Sequence, residues 1–146
     1  NENLDYFFQR DGQLSNLGTT KLAYSPSVIA GNALVFVPNT NFQLALLSKY
    51  ISAQYMGNID SKTSELPAYF VSDLNASYRW TPNKWFQEVQ LSLLVNNLFN
   101  ELYVSNGYFY TYDDTWSNAG ETTTIEGAGY YPQAGTNFLI GMTLTF

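Results

Sequence analysis

Apolar and polar residues alternate with a period of two along most of this chain, and they do so most cleanly at its end. Phe138, Ile140, Met142, Leu144 and Phe146 share one face of an extended strand, while Leu139, Gly141, Thr143 and Thr145 share the other, because successive side chains in a strand point to opposite faces. One wholly apolar face against one small, polar face suits a barrel wall between lipid and a wet lumen. The inner and outer faces of a soluble β-sandwich alternate in the same way. A soluble domain usually ends in fraying polar residues, but this strand alone leaves both readings open and the rest of the chain decides between them.

The same period predicts further strands upstream. In Ala68 to Trp80, residues Ala68, Phe70, Leu74, Ala76, Tyr78 and Trp80 oppose Asp73, Asn75, Ser77 and Arg79. Val89, Leu91, Leu93 and Val95 oppose Gln90, Ser92 and Asn96, and in Phe42 to Met56 residues Phe42, Leu44, Leu46 and Tyr50 oppose Gln43, Ala45 and Lys49. Thr20 to Val37 contains a strand, with Ser25-Pro26 as a kink. Pro38-Asn39-Thr40-Asn41 and Thr81-Pro82-Asn83-Lys84 are turns, Gly57 to Pro67 a polar loop, and Ser105 to Gly129 a long irregular connection. No segment carries a helical period, so the reading is all-β with about five or six strands, the sixth depending on Leu4 to Phe8. The connections alternate short and long, which antiparallel barrels of outer membranes do and sandwiches have no reason to do.

Composition sharpens this. Aromatics reach 17% while charged residues are only 12%, the balance expected of a barrel with aromatic girdles and also of a carbohydrate-binding β-domain. Net charge is −6 with no clustered Lys or Arg, which argues against nucleic-acid binding. Cysteine and histidine are both absent, which removes thiol nucleophiles, Ser-His-Asp triads and the usual zinc sites. No apolar run is long enough for a spanning helix and no leader opens the chain, so an exported protein would begin upstream of residue 1. Neither an enzyme nor a cofactor is expected.

Three stretches resemble a known family. Leu94-Val95-Asn96-Asn97-Leu98-Phe99-Asn100-Glu101-Leu102-Tyr103 is similar to the penultimate strand of TonB-dependent outer-membrane receptors. Tyr130-Tyr131-Pro132-Gln133-Ala134-Gly135-Thr136-Asn137-Phe138 is similar to the approach to their final strand, with Thr136 where Arg is common, a departure associated with Bacteroidetes members. Lys49-Tyr50 to Tyr55 and Tyr69 to Trp80 resemble the strands before. The resemblance covers residues 20–146 and implies the C-terminal wall of a 22-stranded, plugged barrel in the bacterial outer membrane. It further implies energy-coupled import of a metal chelate or vitamin-like ligand, with outer-membrane lipid, the TonB complex and the barrel-assembly machinery as partners. Nothing in residues 1–146 resembles a plug, so the chain is expected to be part of a longer protein. A complete eight-stranded outer-membrane barrel of structural or adhesive role and a soluble aromatic-rich binding module are the alternatives.

Within Ser105 to Gly129, Tyr110, Tyr112, Asp113, Asp114 and Trp116 are the candidate ligand contacts, since the rings can stack on a ligand and the acids attract a cation or metal complex. Tyr103 and Tyr108 read as members of an aromatic girdle. Asp113-Asp114 lacks the ligand spacing of a calcium loop, so no metal site is assigned. Phe138, Ile140, Met142, Leu144 and Phe146 resemble the signal by which assembly machinery recognises outer-membrane barrels, strand addition supplying affinity.

Overall fold

The structure, a computed structural model, describes residues 2–82 and 86–146. It is all-β apart from one short 3-10 turn. The strands are β1 (Glu2–Asn3), β2 (Phe7–Arg10), β3 (Gln13–Asn16), β4 (Thr20–Lys21), β5 (Ile29–Asn39), β6 (Phe42–Ile51), β7 (Gln54–Tyr55), β8 (Glu65–Leu66), β9 (Tyr69–Trp80), β10 (Glu88–Asn96), β11 (Val104–Asp114), β12 (Thr123–Pro132) and β13 (Asn137–Thr145), with the 3-10 turn at Lys62–Ser64. Contacts divide the chain into two compact units. One holds Ile29–Tyr50, Phe70–Leu102 and Ala134–Phe146, and the other holds the remainder. No closed barrel forms among the described residues.

The first unit is built on a five-stranded sheet in the order β13-β10-β9-β6-β5. Its antiparallel register puts the expected apolar residues side by side. Leu93 lies between Ala76 and Ile140, Leu91 between Tyr78 and Met142, and Val89 between Trp80 and Leu144. The opposite face aligns Ser92 with Ser77 and Gly141, and Gln90 with Arg79 and Thr143. Leu94, paired with Asn75 and Leu139, interrupts that polar face.

This sheet has almost no core. Val89, and Ile51 at the end of β6, are its buried hydrophobic residues among those described, beside buried Ser48, Ser72 and Asn97. Phe138, Ile140 and Met142 stand 68%, 74% and 64% exposed. β5 is exposed along its whole length. As an edge strand it tolerates Pro38 within it, where the missing N–H interrupts no central ladder. The first turn therefore contracts to Thr40-Asn41, where Asn39 Oδ1 accepts the N–H groups of Asn41 and Phe42 at 2.9 and 3.0 Å. Of the second expected turn, Asn83 and Lys84 lie outside the described residues.

After β10 the chain turns sharply on Asn97, which is left-handed (φ 51°) and 4% exposed. Asparagine tolerates that conformation better than most residues. Its Nδ2 donates to the carbonyls of Glu101 (2.8 Å) and Ala134 (3.2 Å), and its Oδ1 accepts from Glu101 N (2.9 Å). Its own N–H reaches Asp73 Oδ1 at 2.8 Å, and its carbonyl accepts the Thr136 hydroxyl at 2.6 Å. Leu98 N–H donates to Ser72 O at 2.7 Å, and Asn100 Oδ1 receives Thr136 N–H at 3.1 Å. The Asn-Leu-Phe-Asn motif is thus a knuckle that fastens the end of β10 to β9 and to the start of β13. Asp73, on the polar side of β9, is engaged here.

In the second unit the expected polar loop Gly57 to Pro67 carries part of the core. Ile59 and Leu66 are buried, with Met56 and Ile51 just before them and Ser64 fully enclosed. Its polar side chains are used as ties: Asn58 Oδ1 accepts Ala23 N–H at 2.7 Å, Asp60 Oδ1 accepts Lys21 N–H at 2.9 Å, and Ser61 caps the 3-10 turn. Composition alone reads such a segment as solvated.

The larger departure is Ser105 to Gly129. Instead of an irregular connection, β11 and β12 form a long antiparallel hairpin from Val104↔Pro132 to Asp114↔Thr123. Gly107, Gly127 and Gly129 hid the alternation, because a glycine carries no side chain to show which face it occupies.

Asn97→Ala removes three side-chain hydrogen bonds from a buried site and places a less tolerant residue at positive φ. It is expected to lower stability by about 3 kcal/mol in equilibrium denaturation in detergent. A loss below about 1 kcal/mol would show that the knuckle is not what holds β10 to β13.

Candidate ligand-binding hairpin

The β11–β12 hairpin has two dissimilar faces. On the back, Gly107 lets Met56 and the Gly129 carbonyl approach so closely that a Cβ would meet them at 2.6 and 2.4 Å. Phe109 packs on Gly57, Tyr24 hydroxyl donates to Gly107 O at 2.8 Å, and Tyr130 hydroxyl donates to Thr63 O at 3.0 Å. Glu126 accepts from both Arg10 and the Ser61 hydroxyl. Asp11 and Thr124 bond reciprocally, each backbone N–H donating to the other's side-chain oxygen at 2.8 Å. The back of the hairpin is therefore pinned to β2, to the turn before β3 and to the segment 56–64.

On the front, Tyr108, Tyr110 and Tyr112 follow at every second residue and Trp116 continues the row. The Tyr108–Tyr110, Tyr110–Tyr112 and Tyr112–Trp116 centroids lie 6.3, 6.5 and 6.2 Å apart, with interplanar angles of 20°, 15° and 7°. Tyr131 joins at the base, 6.1 Å from Tyr108 and tilted by 49°. Tyr108 is paired with Gly129 and Tyr110 with Gly127. Each ring lies across its glycine, at 2.4 Å from where a Cβ would stand. Aromatic rings covering cross-strand glycines compensate for the missing side chain. All five rings are exposed, from 45% at Tyr112 to 71% at Trp116.

The candidate residues divide between the faces. Tyr110, Tyr112 and Trp116 come together in the row, and Tyr108, expected in a girdle, belongs with them. Tyr131 was not singled out; its parity with Tyr108 across a hairpin was the missing signal. Asp113 is turned away and accepts the Thr124 hydroxyl at 2.7 Å. Tyr103 is separate, stacked on Tyr69 at 4.4 Å.

Asp114 organises the tip. Its Oδ1 accepts the N–H groups of Trp116 and Ser117, each at 3.1 Å. A hydrogen bond from the Ser117 side chain, then those backbone donors, hold its carboxyl below the usual aspartate value. No cluster of three or more metal-ligating side chains occurs among the described residues. On the terminal strand, Phe138, Ile140, Met142 and Leu144 lie in β13, and Phe146 follows it with its ring 5.1 Å from Phe86.

No family model matches the chain, and neither a curated protein nor a solved structure does.

Two outcomes follow from this geometry. Gly107→Ala meets a backbone carbonyl and is expected to cost about 2–4 kcal/mol, whereas Gly127→Ala meets only the far end of the Tyr110 ring. The second should leave stability nearly unchanged and swing Tyr110 out of the row, seen as altered near-ultraviolet dichroism with an unshifted denaturation midpoint. Equal destabilisation by both would refute the distinction.

Because folding depresses the Asp114 pKa, its contribution is complete above the ordinary aspartate value and fades as pH falls through the lower folded value. Trp116 emission, taken as the difference from Trp116→Phe, should be flat from about pH 8 to 5 and change only below about pH 4. A transition near neutrality would assign the tip to another group.

Proposed function

We propose that this chain is part of the wall of an outer-membrane β-barrel that imports a scarce nutrient complex, as the receptors it resembles do. The observation that carries the reading is the register of the five-stranded sheet. Apolar residues of β9, β10 and β13 align on one face, where Val89 is buried but Tyr78, Trp80, Leu91, Phe138, Ile140 and Met142 stay exposed, while small and polar residues align on the other. Burying each large apolar side chain is worth about 1.5–3 kcal/mol, so these exposed side chains forgo stabilisation on the order of the 5–15 kcal/mol that holds a domain together. Hydrocarbon removes that deficit, and the opposite face suits a wet lumen.

Five strands do not close a barrel, and hydrocarbon does not tolerate unpaired edges, so β5 and β13 require further strands beside them. In the receptor architecture those strands come from the rest of the barrel, and coupling to the TonB complex passes through a plug. The knuckle at Asn97 gives the Asn-Leu-Phe-Asn resemblance a mechanical content: it fixes the penultimate wall strand against the last. The sheet's connections alternate as in such barrels. Thr40-Asn41 is short and seven residues separate β9 from β10, while β6 to β9 and β10 to β13 pass through longer excursions. The β13 face of Phe138, Ile140, Met142 and Leu144, with Phe146, would serve both lipid packing and recognition by the assembly machinery. Ligand contact falls to the β11–β12 hairpin.

The test is fractionation of source cells, probed with an antibody to the β13 segment. The expected species lies in the outer-membrane fraction, runs at several times 16.5 kDa and shifts in mobility on heating. A soluble species would overturn the membrane reading in favour of a binding module. A heat-shifting membrane species of 16.5 kDa would replace the receptor with a small barrel.

A further inference from the structure

We propose that the front of the β11–β12 hairpin is a docking strip for an extended peptide carrying Arg or Lys at alternate positions. The strip is pre-formed. Its back is fastened by Glu126, Asp11 and Tyr130, and Tyr108 and Tyr110 are seated on glycines, so little ordering is left for binding to supply. It does not depend on a bilayer around the other sheet.

Charge selects the ligand. From Val104 to Pro132 the chain carries Asp113, Asp114, Glu121 and Glu126 and no Lys or Arg. Glu126 is neutralised by Arg10 and Asp113 is occupied by Thr124 on the back. Asp114 and Glu121, both near the tip, have no ion-pair partner among the described residues. Asp114 is kept ionised by the Ser117, Trp116 and backbone contacts described above. The rings themselves attract cations through their electron-rich faces. Elsewhere in the chain that attraction is used internally, by Arg10 over Phe8 at 5.9 Å and Lys21 over Tyr55 at 5.4 Å. Among the described residues no such cation sits over Tyr108, Tyr110, Tyr112 or Trp116. An electron-rich row with an acidic tip, within a chain of net charge −6, is complementary to a multiply cationic partner.

Spacing selects its conformation. The rings recur every 6.2–6.5 Å from Tyr108 to Trp116. Side chains on one face of an extended peptide recur at about 6.6 Å, twice the strand rise. Alternate guanidinium or ammonium groups therefore meet successive rings in register, and the intervening side chains face solvent.

The test is calorimetric titration of the detergent-solubilised full chain with two peptides of equal composition and charge, Arg-Ser-Arg-Ser-Arg-Ser-Arg and Arg-Arg-Arg-Arg-Ser-Ser-Ser. The alternating peptide should bind about tenfold more tightly. Tyr112→Ser and Trp116→Ser should each weaken it by about three- to tenfold, and Glu121→Gln should weaken it less. Both ring variants leave net charge unchanged and neither ring lies on a glycine, so a misfolded Tyr110 variant would not obstruct the test. Equal affinity for the two peptides, or affinity indifferent to both rings, would reduce the effect to diffuse charge and overturn the proposal. Binding of a neutral oligosaccharide with no binding of either peptide would overturn it as well, by assigning the strip to sugar faces.

Discussion

Much of the sheet unit depends on one buried side chain. At Asn97 the chain must leave β10, and 37 residues later Ala134 and then Asn137 must resume beside it in register. A buried turn of this kind leaves backbone donors and acceptors without ladder partners, and each costs free energy unless it is paired. Asn97 satisfies several at once, because an amide both donates and accepts and because Asn enters the left-handed region at little cost. Asp73 and Ser72 bring β9 to the same point, and Thr136 brings the start of β13. Three neighbouring strands are thereby held in register at one end by a single amide and two short polar side chains.

Why a threonine serves at position 136 follows from that arrangement. Its hydroxyl donates to the Asn97 carbonyl while its backbone N–H donates to Asn100 Oδ1. Both contacts are short-range and need no charge. A small β-branched residue also suits the extended backbone leading into β13.

The long strands of the sheet were legible because each has one apolar and one polar face, and the period-two pattern survives the loss of all other information. Parity alone put Val89, Leu91, Leu93 and Val95 on one face and Phe138, Ile140, Met142 and Leu144 on another, and the structure sets the two faces side by side. The hairpin was not legible in the same way. Tyr108, Tyr110 and Tyr112 alternate as well as any strand, but the partners of Tyr108 and Tyr110, at 129 and 127, are glycines, and a pair made of one ring and one absent side chain shows only half its pattern in sequence. The segment Gly57 to Pro67 failed for the opposite reason. Asn58, Asp60 and Ser61 look solvated, yet they spend their polar atoms on the backbone of residues 21 and 23 and on the 3-10 turn, which lets Ile59 and Leu66 be buried among them. The candidate residues Tyr110, Tyr112 and Trp116 were visible as residue types, whereas the separation of Asp113 from Asp114 onto opposite faces needed the register.

Two exposed aromatic and apolar surfaces remain, and physical chemistry separates them. The face of β9, β10 and β13 is mostly Leu, Ile, Val, Phe and Met, with Tyr78 and Trp80 toward one end of β9, and it has few polar atoms. It gains only by removal from water, and any apolar surroundings serve equally. The row on the hairpin is made of tyrosines and one tryptophan, whose hydroxyl and indole N–H groups can stay hydrated while the rings are exposed. Its stability therefore does not require a cover. This difference in chemistry, more than the extent of exposure, is why separate roles are proposed for the two surfaces, the first toward an apolar solvent and the second toward a ligand. Oriented, near-parallel rings with fixed spacing carry directional information that the mostly apolar sheet face lacks, which is the physical basis for proposing recognition at Tyr108, Tyr110, Tyr112 and Trp116.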